Sequence, residues 1–264
     1  MIRHVRLIGS FVQASVQEEA AYRANYWVGL AHSLLNLVTG VLGIAVLFGQ
    51  VETVRGWDFA ATLALLGVYL TAGALRGLFI GPSLDALAGM DGEVWSGRLD
   101  FTLLRPVDIQ FLASFRRWRA LALFDLLLGA GVLAVATAQM HAAPGPARVA
   151  VFLAALAAGM LTLYALLLAG AALVFWSPGT LFTWIFDGLF QLARYPLGLY
   201  PGWLRLMLTW IVPVGVITTV PAEALAGTLS PDALAGSAGL AAVLFVAASA
   251  LFRRAVRRYE GASS

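Results

Sequence analysis

Long apolar runs without charge set the plan of this chain. The first, Tyr26–Phe48, holds no charged side chain and opens on Tyr26 and Trp27, aromatics suited to a membrane interface. The second covers 59–80, with Arg76 near enough to its end to snorkel toward water. Residues 120–138 contain Asp125, 149–175 are uncharged, and 234–252 are rich in Ala, Gly and Ser, which permits close helix contact. Each run is near the roughly 20 residues that cross about 30 Å of hydrocarbon. Five clear spans are predicted.

Between residues 176 and 233 the pattern breaks. Residues 180–193 are apolar but short and carry Asp187. The stretch Tyr195-Pro196-Leu197-Gly198-Leu199-Tyr200-Pro201-Gly202 makes a poor continuous helix. Residues 203–225 are apolar again, interrupted by Pro213 and Pro221 and carrying Arg205. Outside the runs, Val5, Ile8, Val12 and Val16 recur at helical spacing, which predicts an amphipathic helix on the membrane surface over residues 1–25. Residues 81–118 are long for a connector and alternate apolar side chains with charges of both signs, as in short helices that dock on something.

Composition turns these runs into a class. Of 264 residues, 61% are hydrophobic and 12% charged, with a mean hydropathy of +0.85. Soluble domains average about 25% charged, so this is an integral membrane protein. No cysteine and no lysine occur, which excludes disulfides, thiolate nucleophiles, a phosphate-binding P-loop lysine and Schiff-base chemistry. His4, His32 and His141 have no metal-binding spacing. The pI of about 9.6 reflects arginine flanks rather than a nucleic-acid surface.

Arginine placement orients the chain. Arg3, Arg6 and Arg23 precede the first span, Arg98, Arg105, Arg116, Arg117 and Arg119 lie between the second and third, and Arg253, Arg254, Arg257 and Arg258 follow the last. The alternate loops hold only Arg55 and Arg148. Both termini and the 81–118 loop are therefore expected in the cytoplasm, and the number of crossings must be even. One crossing is left for residues 176–233, whose other apolar piece dips in and returns. Residues 180–193 are expected in the crossing and 203–225 in a hairpin from the outer face; a kinked span at 203–225 gives the same parity.

The local motifs resemble a known family. Gly97-x-Leu99-Asp100-x-x-Leu103-Leu104-Arg105-Pro106 is similar to the signature of a bacterial, paired-permease branch of type 2 ABC exporters. Tyr195-Pro196, Tyr200-Pro201, Ile211-Val212-Pro213 and Pro221-Ala222 resemble that branch's later signature, and the likeness runs along nearly the whole chain. The resemblance implies one all-α polytopic permease domain over 1–264. It implies six transmembrane helices, an N-terminal interfacial helix, a cytoplasmic coupling segment at 81–118 and an extracellular re-entrant hairpin within 195–233. It also implies a bacterial inner-membrane location, ABC ATPase subunits that bind ATP and Mg, a second permease (related chain or self) and no cofactor in this chain. Export of a hydrophobic or amphipathic compound follows from the resemblance alone.

Candidate residues follow from these two sources. Glu93, Trp95, Arg98, Asp100, Arg105 and Pro106 are expected to form the ATPase-docking surface. Asp125 either pairs with Arg76 or Arg119 or lines a substrate path; Asp187 serves an intersubunit contact or the path. Tyr195, Pro196, Pro213 and Pro221 either stop helices at the interface or build a gate-forming hairpin. His32 and Asn36, one turn apart, are expected to hydrogen-bond between helices. The rival class is an intramembrane lipid-modifying enzyme or protease using Asp125 and Asp187, which lie a whole span apart and without a Gly-x-Gly-Asp-like motif. A non-catalytic scaffold has no positive sequence support.

Overall fold

Helix α1 (Ile2–Ala21) leads into α2 (Arg23–Phe48), and a turn with Arg55 and Gly56 at positive φ carries the chain into α3 (Phe59–Leu75). The computed structural model describes residues 2–21, 23–89, 92–140, 142–177 and 182–259. Asp58 starts α3 by accepting a 2.7 Å hydrogen bond from the Ala61 N–H, one of the donors a first turn leaves unpaired. From Thr62 to Ala72 every residue is buried. A helix apolar on all sides belongs at the centre of a bundle, and α3 occupies that place.

The second span does not stop at Ile80, as its hydropathy suggested. It continues through a π-turn (Arg76–Ile80) into α4 (Gly81–Ala88). Pro82 explains the turn: it has no N–H for an α-helical ladder. The Gly81 N–H donates instead to the Arg76 carbonyl, and Pro82 falls in the first turn of α4, where no donor is needed. Arg76 also departs from expectation: it points into the bundle, and only 16% of its side chain is exposed.

Two short helices, α5 (Leu99–Leu103) and α6 (Ile109–Phe115), precede α7 (Ala122–Gln139) and α8 (Pro146–Leu173). Helices α3 and α7 cross closely because glycine is at the contact: a Cβ on Gly129 would lie 2.8 Å from the Thr71 nitrogen. Among the described residues, five helices are long and apolar enough to cross a membrane: Tyr26–Phe48, Phe59–Ala88, α7, α8 and the last. That last helix, α13 (Pro231–Arg257), begins with Ser230 accepting from the Ala233 N–H at 3.2 Å and lies along α8.

Between α8 and α13 the chain is broken into α9 (Phe182–Leu192), a 3-10 turn (Leu197–Leu199), α10 (Gly202–Leu206), a second π-turn (Met207–Ile211), α11 (Val214–Ile217) and α12 (Thr219–Ala226). Residues 180 and 181 of the expected apolar piece lie outside the described residues. The Phe182 ring lies over Gly170 of α8, Phe190 stacks on Tyr69 of α3 at 5.0 Å, and Gly198 comes beside Arg55. Val216 and Ile217 then pack their backbone on Gly159 of α8, and the Thr218 hydroxyl donates to the Ala193 carbonyl at 3.0 Å. Gly227, at φ +82°, closes α12 beside Arg148. Pro213 breaks the helix as expected, whereas Pro221 does not kink one. It sits in the first turn of α12, where the missing N–H costs nothing.

Helix α1 is tied to the body by polar atoms. The Trp118 N–H donates to Ser15 at 3.1 Å and the Ala120 N–H to Glu19 at 2.8 Å. Helix α2 is peripheral: Trp27, Val28, Leu35 and Val46 are exposed, while Ile44 is fully buried.

Candidate functional site

The segment between α4 and α7 is held by a clamp of three side chains. Glu93 forms an ion pair with Arg116, accepts from the Thr102 hydroxyl at 2.7 Å, and Arg116 also donates to Thr102 at 3.2 Å. Burial pushes the Glu93 carboxyl up. The hydrogen bonds from Arg116 and Thr102 and the charges of Arg116 and Arg117 outweigh it, so the group titrates below the usual glutamate range. Glu93 is thus turned inward rather than toward a partner.

Around the clamp the chain sorts its apolar residues two ways. Val94, Leu99 and Leu112 are buried, while Trp95, Phe101 and Leu104 are 58%, 73% and 81% exposed. Gly97, at φ +71°, makes the turn that puts Leu99 inside. Arg98, Arg105 and Pro106 lie on the exposed side, and Arg98 Nε bonds the Ser96 hydroxyl at 3.0 Å. Asp100 is half-buried and accepts from the Tyr259 hydroxyl just beyond α13. Burial first, then the Asp100 charge, raises that phenol above its ordinary range.

A second constellation lies between α2, α3, α7 and α9. Arg76 pairs with Asp187, and its guanidinium stands 5.5 Å from the Phe186 ring centre. Arg119 is 3.6 Å from Asp125, so the partner of Asp125 is Arg119, and Arg76 belongs to Asp187. Asp85 accepts from Thr183 at 3.4 Å. These groups border a cleft of about 440 Å³ whose far end is formed by Tyr69, Phe190 and Asn36. Through Pro82, Asp85 and Arg119 it adjoins a larger cleft, about 770 Å³, between α1 and the clamped segment.

Arg194 went unnoticed in the sequence because it stands in a Pro- and Gly-interrupted stretch. Its Nη2 donates to the Asn36 carbonyl oxygen at 2.5 Å and its guanidinium lies 5.3 Å from the Tyr69 ring centre. Asn36 thus makes a long-range hydrogen bond, but to the turn that follows α9 rather than to another helix. Tyr195 brings its hydroxyl against Gly43 of α2, and Pro196, Pro213 and Pro221 are all buried. No sequence signal marked Arg116 or Thr102, because the bond between Arg116 and Glu93 spans 23 residues of chain.

Residues 34–263 match the model of a family described as ABC-2 family transporter protein. The chain belongs to that family. It is a multi-pass membrane protein and the membrane component, a permease, of an ABC transporter. Among curated proteins none matches it. Of the residues singled out from the sequence, the permease brings Arg76 and Asp187 together and keeps Asp125 with Arg119. It separates Glu93, inside the clamp, from Trp95 and Arg105 on the exposed face.

Proposed function

We propose that this permease translocates a hydrophobic or amphipathic compound outward across a bacterial inner membrane, driven by separate ATPase subunits and paired with a second permease of the branch its motifs resemble. One observation carries the reading. Trp95, Phe101 and Leu104 are large apolar side chains left in the open on a short segment made rigid by Glu93, Thr102 and Arg116. Such a surface, with Arg98, Arg105 and Pro106 around it, suits a docking protein, where aromatic and arginine anchors dominate binding. ATP and Mg belong to that partner. The charged cleft, adjoining the cytoplasmic cleft and ending at Tyr69 and Phe190, is the cargo route, with Arg76, Asp187 and Asp125 on its wall.

An intramembrane enzyme is disfavoured by the same geometry. Asp125 and Asp187 border the same cleft, but each faces a guanidinium of its own, Arg119 and Arg76, which leaves neither carboxylate free for acid–base work.

Docking is tested by co-purification. Leu104→Glu, or Trp95→Ala with Arg105→Glu, should leave the permease folded and weaken its hold on the cognate ATPase by about 30-fold, some 2 kcal/mol. Glu93→Gln, inside the clamp, should act through stability instead. Binding and transport at wild-type strength in both exposed-face variants would sink the assignment.

Six crossings, an outer hairpin and cytoplasmic termini complete the proposal. Helix α9 rises only about 16 Å, but the chain beyond it reaches Gly198 beside Arg55, and these residues make the sixth crossing. Residues 202–227 return to the same face: they start next to that point and end at Gly227 beside Arg148. Single cysteines at Gly202 and Thr228, both exposed, separate the topologies in a chain with no native thiol. A hairpin gives labelling of both by an impermeant maleimide from outside. Labelling on opposite faces means that 203–225 spans the membrane. Thr218 is too buried, at 1% exposure, to report, and Ser263 lies outside the described residues.

A further inference from the structure

Helix α6 of the clamped segment is joined to two long helices by one ring of hydrogen bonds. Gln110 Nε2 donates to the Tyr164 hydroxyl of α8 at 3.2 Å and to the Ser249 hydroxyl of α13 at 3.0 Å. Ser114, one turn further along α6, donates its only hydroxyl proton to the Gln110 carbonyl at 2.7 Å. The 2.7 Å contact between Ser114 and Tyr164 therefore has tyrosine as donor. The ring closes from amide to phenol to serine and back to the α6 backbone.

Apolar faces of Ala, Leu and Gly hold helices together without fixing how far one slides along another. Directed polar bonds do fix it. Gln110 is 54 residues from Tyr164 and 139 from Ser249, so this joint ties the docking segment to distant parts of the chain. Tyr164 also stands little more than a turn from Gly159, where α8 meets the backbone of α11. A displacement of α6 thus has a route through α8 to α11.

The amide meets both hydroxyls with one end. Its other end, Oε1, is buried without a partner, which is uncommon for a buried acceptor. Turning the amide over would require Tyr164 to give its one proton to Oε1 as well as to Ser114, so the ring is made with the amide as donor.

We infer that Gln110, with Tyr164 and Ser249, is a positioning joint that passes movement of the coupling segment to α8 and α13. This rests on the transporter reading given above. The test uses the permease–ATPase complex in nanodiscs, with spin labels at Leu127 of α7 and Leu153 of α8, both exposed side chains. ATP with vanadate should change their separation in the wild type. In Gln110→Leu combined with Tyr164→Phe that change should be lost, while ATPase co-purification, ATP hydrolysis and thermal stability stay near wild type. Ser249→Ala should reduce the change and Ser249→Thr, which keeps the hydroxyl, should preserve it. A full change in the double variant overturns the joint. So does a double variant that loses fold or ATPase binding along with the change, since the residues then serve structure only. A wild-type permease that holds no ATPase overturns the transporter reading itself, a result seen before any variant is made.

Discussion

Gly159→Leu should cost the permease about 3 kcal/mol of stability, the upper end for overpacking, and drive α11 away from α8. A Cβ at this position would stand 2.9 Å from the Val216 carbonyl oxygen and 3.0 Å from the Ile217 Cα. Both obstacles are backbone, so no rotamer change can make room. Gly170 gives the contrast. A Cβ there would run into the Phe182 ring, but a ring at the start of α9 can swing aside, so Gly170→Ala should cost less than Gly159→Ala. Gly236→Leu, with nothing within 4 Å of the new Cβ, serves as the control and should be nearly neutral. Thermal unfolding of the four purified variants decides the matter. Equal melting for Gly159→Leu and Gly236→Leu would show that α8 and α11 are not in this contact.

Arg76→Ala should be nearly as harmful, and it should be partly repairable. Arg76 is the cation between Asp187, its direct partner, and Asp85. Removing it leaves two carboxylates without a counter-charge at the edge of an apolar bundle. Breaking a buried pair costs about 3–5 kcal/mol; Asp187 is 43% exposed, which places the loss at the lower end, about 3 kcal/mol. Arg76→Ala with Asp187→Ala should recover part of it, because one of the two orphaned charges, and its repulsion of Asp85, is then gone. Melting temperatures of the single and double variants give the comparison. A double variant no better than Arg76→Ala would mean that the Asp187 charge is not what Arg76 offsets.

Why the spans were legible and their rotations were not has a physical cause. Lipid and protein core are both apolar, so a run such as Tyr26–Phe48 announces a crossing without saying which side meets protein. Helix α3 is buried all round and α2 mostly exposed, yet their hydropathy is almost the same, 1.8 and 1.9. Resemblance to type 2 ABC permeases holds at the level of the family, over residues 34–263. Spacing also found the helix at Ile2–Ala21, but its docking atoms, Ser15 and Glu19, stand among the polar positions that a surface helix turns to water. Glu93 and Arg76 read as an exposed charge and a snorkelling one. Each is instead satisfied by a partner far along the chain, Arg116 and Asp187, and such pairings leave no mark in local periodicity.

The wide turn at Arg76–Ile80 amounts to one residue inserted into a helix. At 3.6 residues per turn, one residue sets everything after it about 100° around the axis. Ser83 owes its bonds to both the N–H and the carbonyl of Arg117, and Leu84 and Leu87 owe their places in the core, to that offset. Deleting a single residue from 77 to 80 would keep a continuous helix and the Arg76 charge while re-aiming everything from Gly81 to Ala88. In this permease the heading of the segment that follows α4 is written as a count of residues within the helix before it.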